Sequence, residues 1–186
     1  MRGTAKSGAP AVRMTGIAKR FGDCQAVRDA SIEVMPGEIH ALVGENGAGK
    51  STLMRILAGI FPPDAGTVEV SGRDVTGWSA AEAIDASVGM VHQHFMLVPT
   101  LTIAENVILG REPTRGLAID MARAQREVEE AAERSGFRMD VRRYVRELSV
   151  GEQQRVEILK TLVRGARILI LDEPTAVLSP PEVEEL

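Results

Sequence analysis

A chain of 186 residues, 44% hydrophobic and 26% charged, is long enough for one domain with a sizeable core. Its formal net charge of −4, with acids and bases interspersed, argues against a surface built to coat nucleic acid. No run approaches the roughly 18 apolar residues of a membrane-spanning helix, and the lone Cys24 excludes an internal disulfide and fits a reducing compartment.

Met1 to Pro10 is small, polar and slightly basic, lacks the apolar stretch of a secretory signal, and reads as a loose tail. Val12 to Phe21 and Ala30 to Val34 read as strands, separated by the turn Phe21-Gly22-Asp23 and closed by Pro36-Gly37. Ile39 to Val43 is a short apolar run expected to be the strand that enters a glycine loop, with His40 a strand histidine. Ser51 to Ala58, apolar at Leu53, Ile56 and Leu57, reads as a helix stopped by Gly59. A turn at Phe61 to Gly66 precedes a strand at Thr67 to Val70 and a turn at Ser71 to Asp74. Ser79-Ala80-Ala81-Glu82 is a capping box for a short helix, and Val88 to Val91 a strand.

The character then becomes helical. Thr102-Ile103-Ala104-Glu105 caps one helix, Asp120 opens a longer one ending near Ser135-Gly136, and Ser149-Val150-Gly151-Glu152 caps a third. Ile168 to Leu171 is apolar on both faces and is expected to be a central parallel strand. Ser179-Pro180-Pro181-Glu182 is one more helix start.

Three stretches carry chemistry. Gly44-Glu45-Asn46-Gly47-Ala48-Gly49-Lys50-Ser51 fits G-x-x-x-x-G-K-[ST], in which glycines let backbone N–H groups converge on phosphate oxygens at a helix N-terminus. Lys50 is expected to hold the outer phosphates, with the Ser51 hydroxyl on Mg²⁺ and Thr52 beside it. Asp172-Glu173 ends the last apolar strand, where ligands of parallel sheets sit. Asp172 suits a water-mediated Mg²⁺ contact, and Glu173 a general base that orients water. The Ser149 capping box leaves N–H groups and a hydroxyl at a helix start, suited either to anionic oxygens or to ordinary capping. His92 and His94, two apart, are too few ligands for a metal site.

The ordered set of 44–51, 148–154 and 168–173 resembles the ATP-binding subunit of ABC transporters over residues 11 to 186. The resemblance implies an α/β fold: a P-loop NTPase core with a parallel sheet, flanking helices and a small antiparallel β subdomain, plus an inserted helical subdomain. Residues 1–10 would be the tail, 11–95 the β subdomain and first part of the core, 96–164 the helical subdomain, and 165–186 the start of a truncated C-terminal part. It further implies that Ser149, Gly151 and Glu152 bind the γ-phosphate held by a second ATPase domain in a head-to-tail dimer. Phe21 would stack on adenine, and Gln93 would ligate Mg²⁺ with its amide oxygen while its segment hinges toward a membrane subunit.

Two departures from the family pattern stand out. Thr175-Ala176-Val177-Leu178-Ser179-Pro180 lacks the usual Ala-Leu-Asp aspartate, and no switch histidine follows before Leu186, so the core is expected to be incomplete at its C-terminus. The wording of Val91 to Pro99 resembles ATPases of bacterial sugar and nucleoside importers, with a lean toward nucleosides. The implied partners are transmembrane permease subunits, a second ATPase domain and, indirectly, a solute-binding protein, with no nucleic acid. The implied place is the cytoplasmic face of the inner membrane, as a peripheral subunit. The rival readings are a soluble ABC-type ATPase acting on nucleic acid or ribosomes, and a fragment that binds nucleotide without turnover.

Overall fold

The computed structural model describes residues 8–92, 95–116 and 118–174. They form two compact units that divide between Ala86 and Ser87. The first unit is built on β1 (Val12–Phe21), which pairs antiparallel with β2 (Cys24–Val34) on one side and β3 (Ala65–Val70) on the other. β3 also pairs with the short β4 (Arg73–Asp74), giving the order β2-β1-β3-β4. Along β1 the side chains of Val12 and Met14 are buried and that of Arg13 exposed, which is the two-residue period of a half-covered sheet. Register slips between Met14 and Ile17, around Gly16 at φ 61°, bend the strand.

Helix α1 (Lys50–Leu57) lies against β2 and buries Leu53, Ile56 and Leu57, the spacing of one helix face. Helix α2 (Ala80–Asp85) starts at a complete capping box, with the Ser79 side chain accepting from the Glu82 N–H and Glu82 accepting from Ser79. The expected strand at Ile39 to Val43 is not formed. Among the described residues no strand is hydrogen-bonded to it, and Ile39 is 99% and Val43 91% exposed. An apolar run becomes a strand only where a neighbour satisfies its N–H and C=O groups. His40 is accordingly an exposed loop residue with Nδ1 3.2 Å from Glu38 Oε1, not a strand histidine.

The second unit holds β5 (Val88–Val91), α3 (Ile103–Ile108), the hairpin strands β6 (Thr114–Arg115) and β7 (Ala118–Ile119), α4 (Met121–Arg134), α5 (Val150–Val163) and β8 (Ile168–Leu171). The three helices close on one core that includes Ile103, Val107, Val128, Val156 and Leu159. Each such side chain removed from water contributes about 1.5–3 kcal/mol. A 3₁₀ turn at Val145–Glu147 leads into α5.

β5 and β8 pair in parallel, Val88 opposite Ile168 through Val91 opposite Leu171. Among the described residues β8 has this one neighbour, and Ile168, Leu169 and Leu171 are half-buried, so within those residues it lies at a sheet edge and not in the central place its composition suggested. Gly89 sets how near α5 lies to the sheet, since a Cβ there would stand 2.3 Å from Thr161 Cγ2 and 2.9 Å from Ala166 Cβ. The described residues contain no helix long and apolar enough to cross a membrane.

Candidate functional site

The glycine loop belongs to the first unit. Its geometry starts with Gly49, the N-cap of α1, at φ 89°. A Cβ on Gly49 would lie 2.2 Å from the Ala26 carbonyl oxygen, so the loop can back onto β2 only if this position carries no side chain. Gly47 is also left-handed, at φ 81°, but open space surrounds it. The Ala48 N–H closes a turn on the Glu45 carbonyl at 3.2 Å, and Glu45 and Asn46 are exposed. Lys50 folds back over the loop, donating to the Gly44 and Glu45 carbonyl oxygens at 2.8 Å each. Ser51 and Thr52 follow in the first turn of α1, both half-buried.

One contrast sets the α1 terminus apart. Helices α2, α3, α4 and α5 each begin with a side-chain oxygen accepting a first-turn N–H: Ser79, Thr102, Asp120 and Ser149. Helix α1 has no side-chain cap. The first N–H groups of a helix lack partners within it, and together with the dipole they favour a negatively charged ligand. The donor set therefore fits a phosphate chain.

Phe21 lies at the same end of the β1–β2 hairpin as the loop. It pairs with Cys24 across the turn, while Ala26 and Val27, which touch Gly49, lie next along β2. Its ring meets Phe61 edge-on with centroids 5.2 Å apart, and Lys19 Nζ is 5.6 Å from its centroid. With 43% of the residue exposed, Phe21 presents a fixed aromatic surface.

The second unit holds the other candidates. Ser149 caps α5 reciprocally: the Glu152 N–H donates to Ser149 Oγ at 3.2 Å and the Ser149 N–H to Glu152 Oε2 at 2.7 Å. Gly151 is buried in the first turn, and Ser149 and Val150 are exposed. The spacing did not reveal Arg143, whose Nη1 donates to Glu152 Oε1 at 2.6 Å and Nη2 to the Glu147 carbonyl at 2.9 Å. Burial alone would raise the Glu152 carboxyl. The Ser149 N–H, the Arg143 hydrogen bond and the charges of Arg143 and Arg155 outweigh it and hold Glu152 below its ordinary value.

Asp172 is buried directly after β8, its N–H on the Val91 carbonyl at 3.2 Å. Glu173 follows, exposed, at φ 52°. A left-handed non-glycine residue costs about 1–3 kcal/mol, and such strain concentrates where a side chain must be aimed. His92 is half-buried just past β5, whereas Gln93, His94 and residues 175–186 lie outside the described residues. The expected Gln93 contact, the helix start at Ser179 and the segment Thr175 to Pro180 are among them. The described residues hold no group of three His, Cys, Asp or Glu suited to a metal. Magnesium, however, needs only one or two protein ligands beside phosphate oxygens and water.

The family described as ABC transporter matches residues 27–176. The nucleoside import ATP-binding protein NupA of Lactococcus lactis subsp. cremoris is 52% identical over 94% of this chain and 35% of its own length. The guanosine import ATP-binding protein NupO of Bacillus subtilis is 51% identical over 94% of this chain and 34% of its own. A ribose import ATP-binding protein of Rubrobacter xylanophilus is 48% identical over 95% and 36%. The chain thus spans about a third of the length of the curated relatives it matches. Among solved structures, the ADP conformation of an ATP-binding cassette of an ABC transporter has a TM-score of 0.82 at 25% identity, over 95% of this chain and 73% of that one. A dimeric, post-hydrolysis cassette bound to ADP and phosphate has a TM-score of 0.76 at 25% identity, over 94% and 78%. A glycine loop on an uncapped helix and a strand ending in two acids thus occur in a chain that matches this family over most of its length: it belongs to the ABC transporter family.

Proposed function

We propose that this chain is the ATP-binding and ATP-hydrolysing part of a protein that energises an importer of nucleosides or simple sugars, with nucleosides favoured. The uncapped N-terminus of α1 behind the glycine loop is the observation that carries the reading. Support for import comes from the names of the relatives, two of which name nucleosides or guanosine and one ribose.

In this reading the loop N–H groups from Gly44 to Ser51 bind the phosphates, Lys50 neutralises their outer charge, and Phe21 carries the adenine. Mg²⁺ would be held by the Ser51 hydroxyl, the Gln93 amide oxygen and, through water, Asp172, and when bound it offsets charge on the triphosphate. Glu173 orients a water and takes its proton as the water oxygen bonds to the γ-phosphorus and the bond to ADP breaks. Ser149, Gly151 and Glu152 meet the nucleotide of a second ATPase domain in a head-to-tail pair; that a similar cassette is dimeric supports pairing as such. The protein would work at the cytoplasmic face of the membrane against permease subunits, served indirectly by a solute-binding protein.

Titration of the native gene product with ATP and magnesium tests the loop. Lys50→Ala removes a charge-assisted contact of about 1.5–3 kcal/mol and is expected to weaken binding roughly 10- to 100-fold. Unchanged affinity would reject the assignment. Uptake of labelled guanosine, with ribose as competitor, tests the cargo class.

A further inference from the structure

The middle of α5 carries a feature that the nucleotide readings leave unused. Glu157 is 7% exposed, and its Oε1 accepts the Met96 N–H at 2.6 Å. One turn on, Lys160 Nζ donates to the Met96 carbonyl oxygen at 3.1 Å, and the two charged groups lie 3.7 Å apart. Both main-chain groups of one residue are therefore held by a nearly buried ion pair, in a segment with no helix or strand of its own. Two residues later Val98 is held the same way from α3. Its N–H donates to Asn106 Oδ1 at 2.7 Å and its carbonyl accepts from Nδ2 at 3.1 Å.

Packing of the Met96 side chain does not account for this grip, because Met96 is 69% exposed. Surface loops ordinarily satisfy such peptides with water. Removing a carboxylate and an ammonium from water costs several kcal/mol per ion. Here that cost goes into fixing the backbone of one residue against one helix.

We propose that Glu157 and Lys160 are positioning residues that lock the chain following β5 to the helix that begins at Ser149, so that both respond to nucleotide as one body. The proposal rests on the reading that Gln93, three residues before Met96 in the chain (96 − 93), and Ser149 both serve the nucleotide.

The test measures ATP binding, ATP turnover and melting temperature in the native gene product for Glu157→Ala, Glu157→Gln, Lys160→Met, the Glu157→Ala/Lys160→Met double variant and Gln93→Ala. Glu157→Ala and Lys160→Met are each expected to lower kcat about tenfold, with ATP affinity within about twofold of wild type, the loss of one charge-assisted hydrogen bond. Glu157→Gln keeps an acceptor for the Met96 N–H and is expected to recover most of the rate. The double variant should be no slower than Glu157→Ala, because both side chains act on the backbone of one residue, Met96. If Gln93→Ala slows turnover while the α5 variants leave kcat unchanged, the clamp is wrong and the nucleotide reading stands. If Gln93→Ala has no effect, that reading and the proposal fall together. A kcat loss that follows melting temperature and is not rescued by glutamine would assign Glu157 to packing alone and overturn the proposal. Should Glu157→Ala not fold, Glu157→Gln and Lys160→Met decide the same question.

Discussion

Asn106 offers the sharpest stability test of how the segment between β5 and α3 is held. The residue is 1% exposed, its Oδ1 accepts the Val98 N–H, and its Nδ2 faces the carbonyls of Val98, Leu101 and Thr102 at 3.1, 3.4 and 3.0 Å. Asn106→Ala orphans the Val98 N–H, about 1–3 kcal/mol, and removes atoms from a closed site, about 1 kcal/mol more. Better helix propensity returns a few tenths. The net expectation is a loss of about 2–3 kcal/mol.

Asn106→Asp should be worse at neutral pH, since it turns a carboxylate oxygen toward three carbonyl oxygens. Those acceptors and the burial would raise the folded pKa of the new acid above its unfolded value of about 3.9. Its destabilisation should therefore grow as pH rises from about 4 toward neutrality. Urea unfolding followed by helical circular dichroism, at pH 4.5 and pH 7, measures both effects. At the urea slopes of about 1–3 kcal/mol per M usual for small proteins, the alanine variant should lose about 1–2 M in midpoint. An alanine variant within about 0.5 kcal/mol of wild type, or an aspartate variant indifferent to pH, would refute the reasoning.

Two further outcomes follow from local geometry. Gly49→Ala places a Cβ 2.2 Å from the Ala26 carbonyl at φ 89°, whereas Gly47→Ala meets open space at φ 81°. Gly49→Ala should cost at least about 2 kcal/mol and Gly47→Ala about 1 kcal/mol, read from the Trp78 fluorescence transition of the first unit; equal losses would exclude the contact with β2. Glu152 is held below its ordinary value, so its contribution is complete above about pH 4.5 and disappears as pH falls through the lowered folded value. The melting-temperature gap between wild type and Glu152→Gln should accordingly shrink from pH 6 to pH 3, and a constant gap would deny the charged contact with Arg143.

Helix starts were legible because capping is local chemistry. Ser79, Thr102 and Ser149, each followed three residues on by Glu, begin helices with both capping-box hydrogen bonds formed. Strands were legible where a partner lies close in sequence, as β1 and β2 do across one turn. Ile39 to Val43 was misread because composition reports apolarity, and pairing depends on a neighbour. The β6–β7 hairpin, with two residues in each strand, is too short to show any period. Glu157 and Asn106 were invisible for another reason: a polar residue within a helix looks solvated until a loop packs on it, 61 positions away for Glu157 and eight for Asn106. In the site, the spacing of Gly44 to Ser51 was readable, but the contact that demands glycine at 49 is with β2, more than twenty positions earlier.

The central claim is that the loop and the acids after β8 serve ATP hydrolysis. Steady-state ATP turnover of the native gene product, compared with Glu173→Gln, tests it most directly. Loss of a general base is expected to lower turnover about 10²- to 10⁴-fold while ATP binding at the loop persists. Equal turnover in the two proteins would contradict the account.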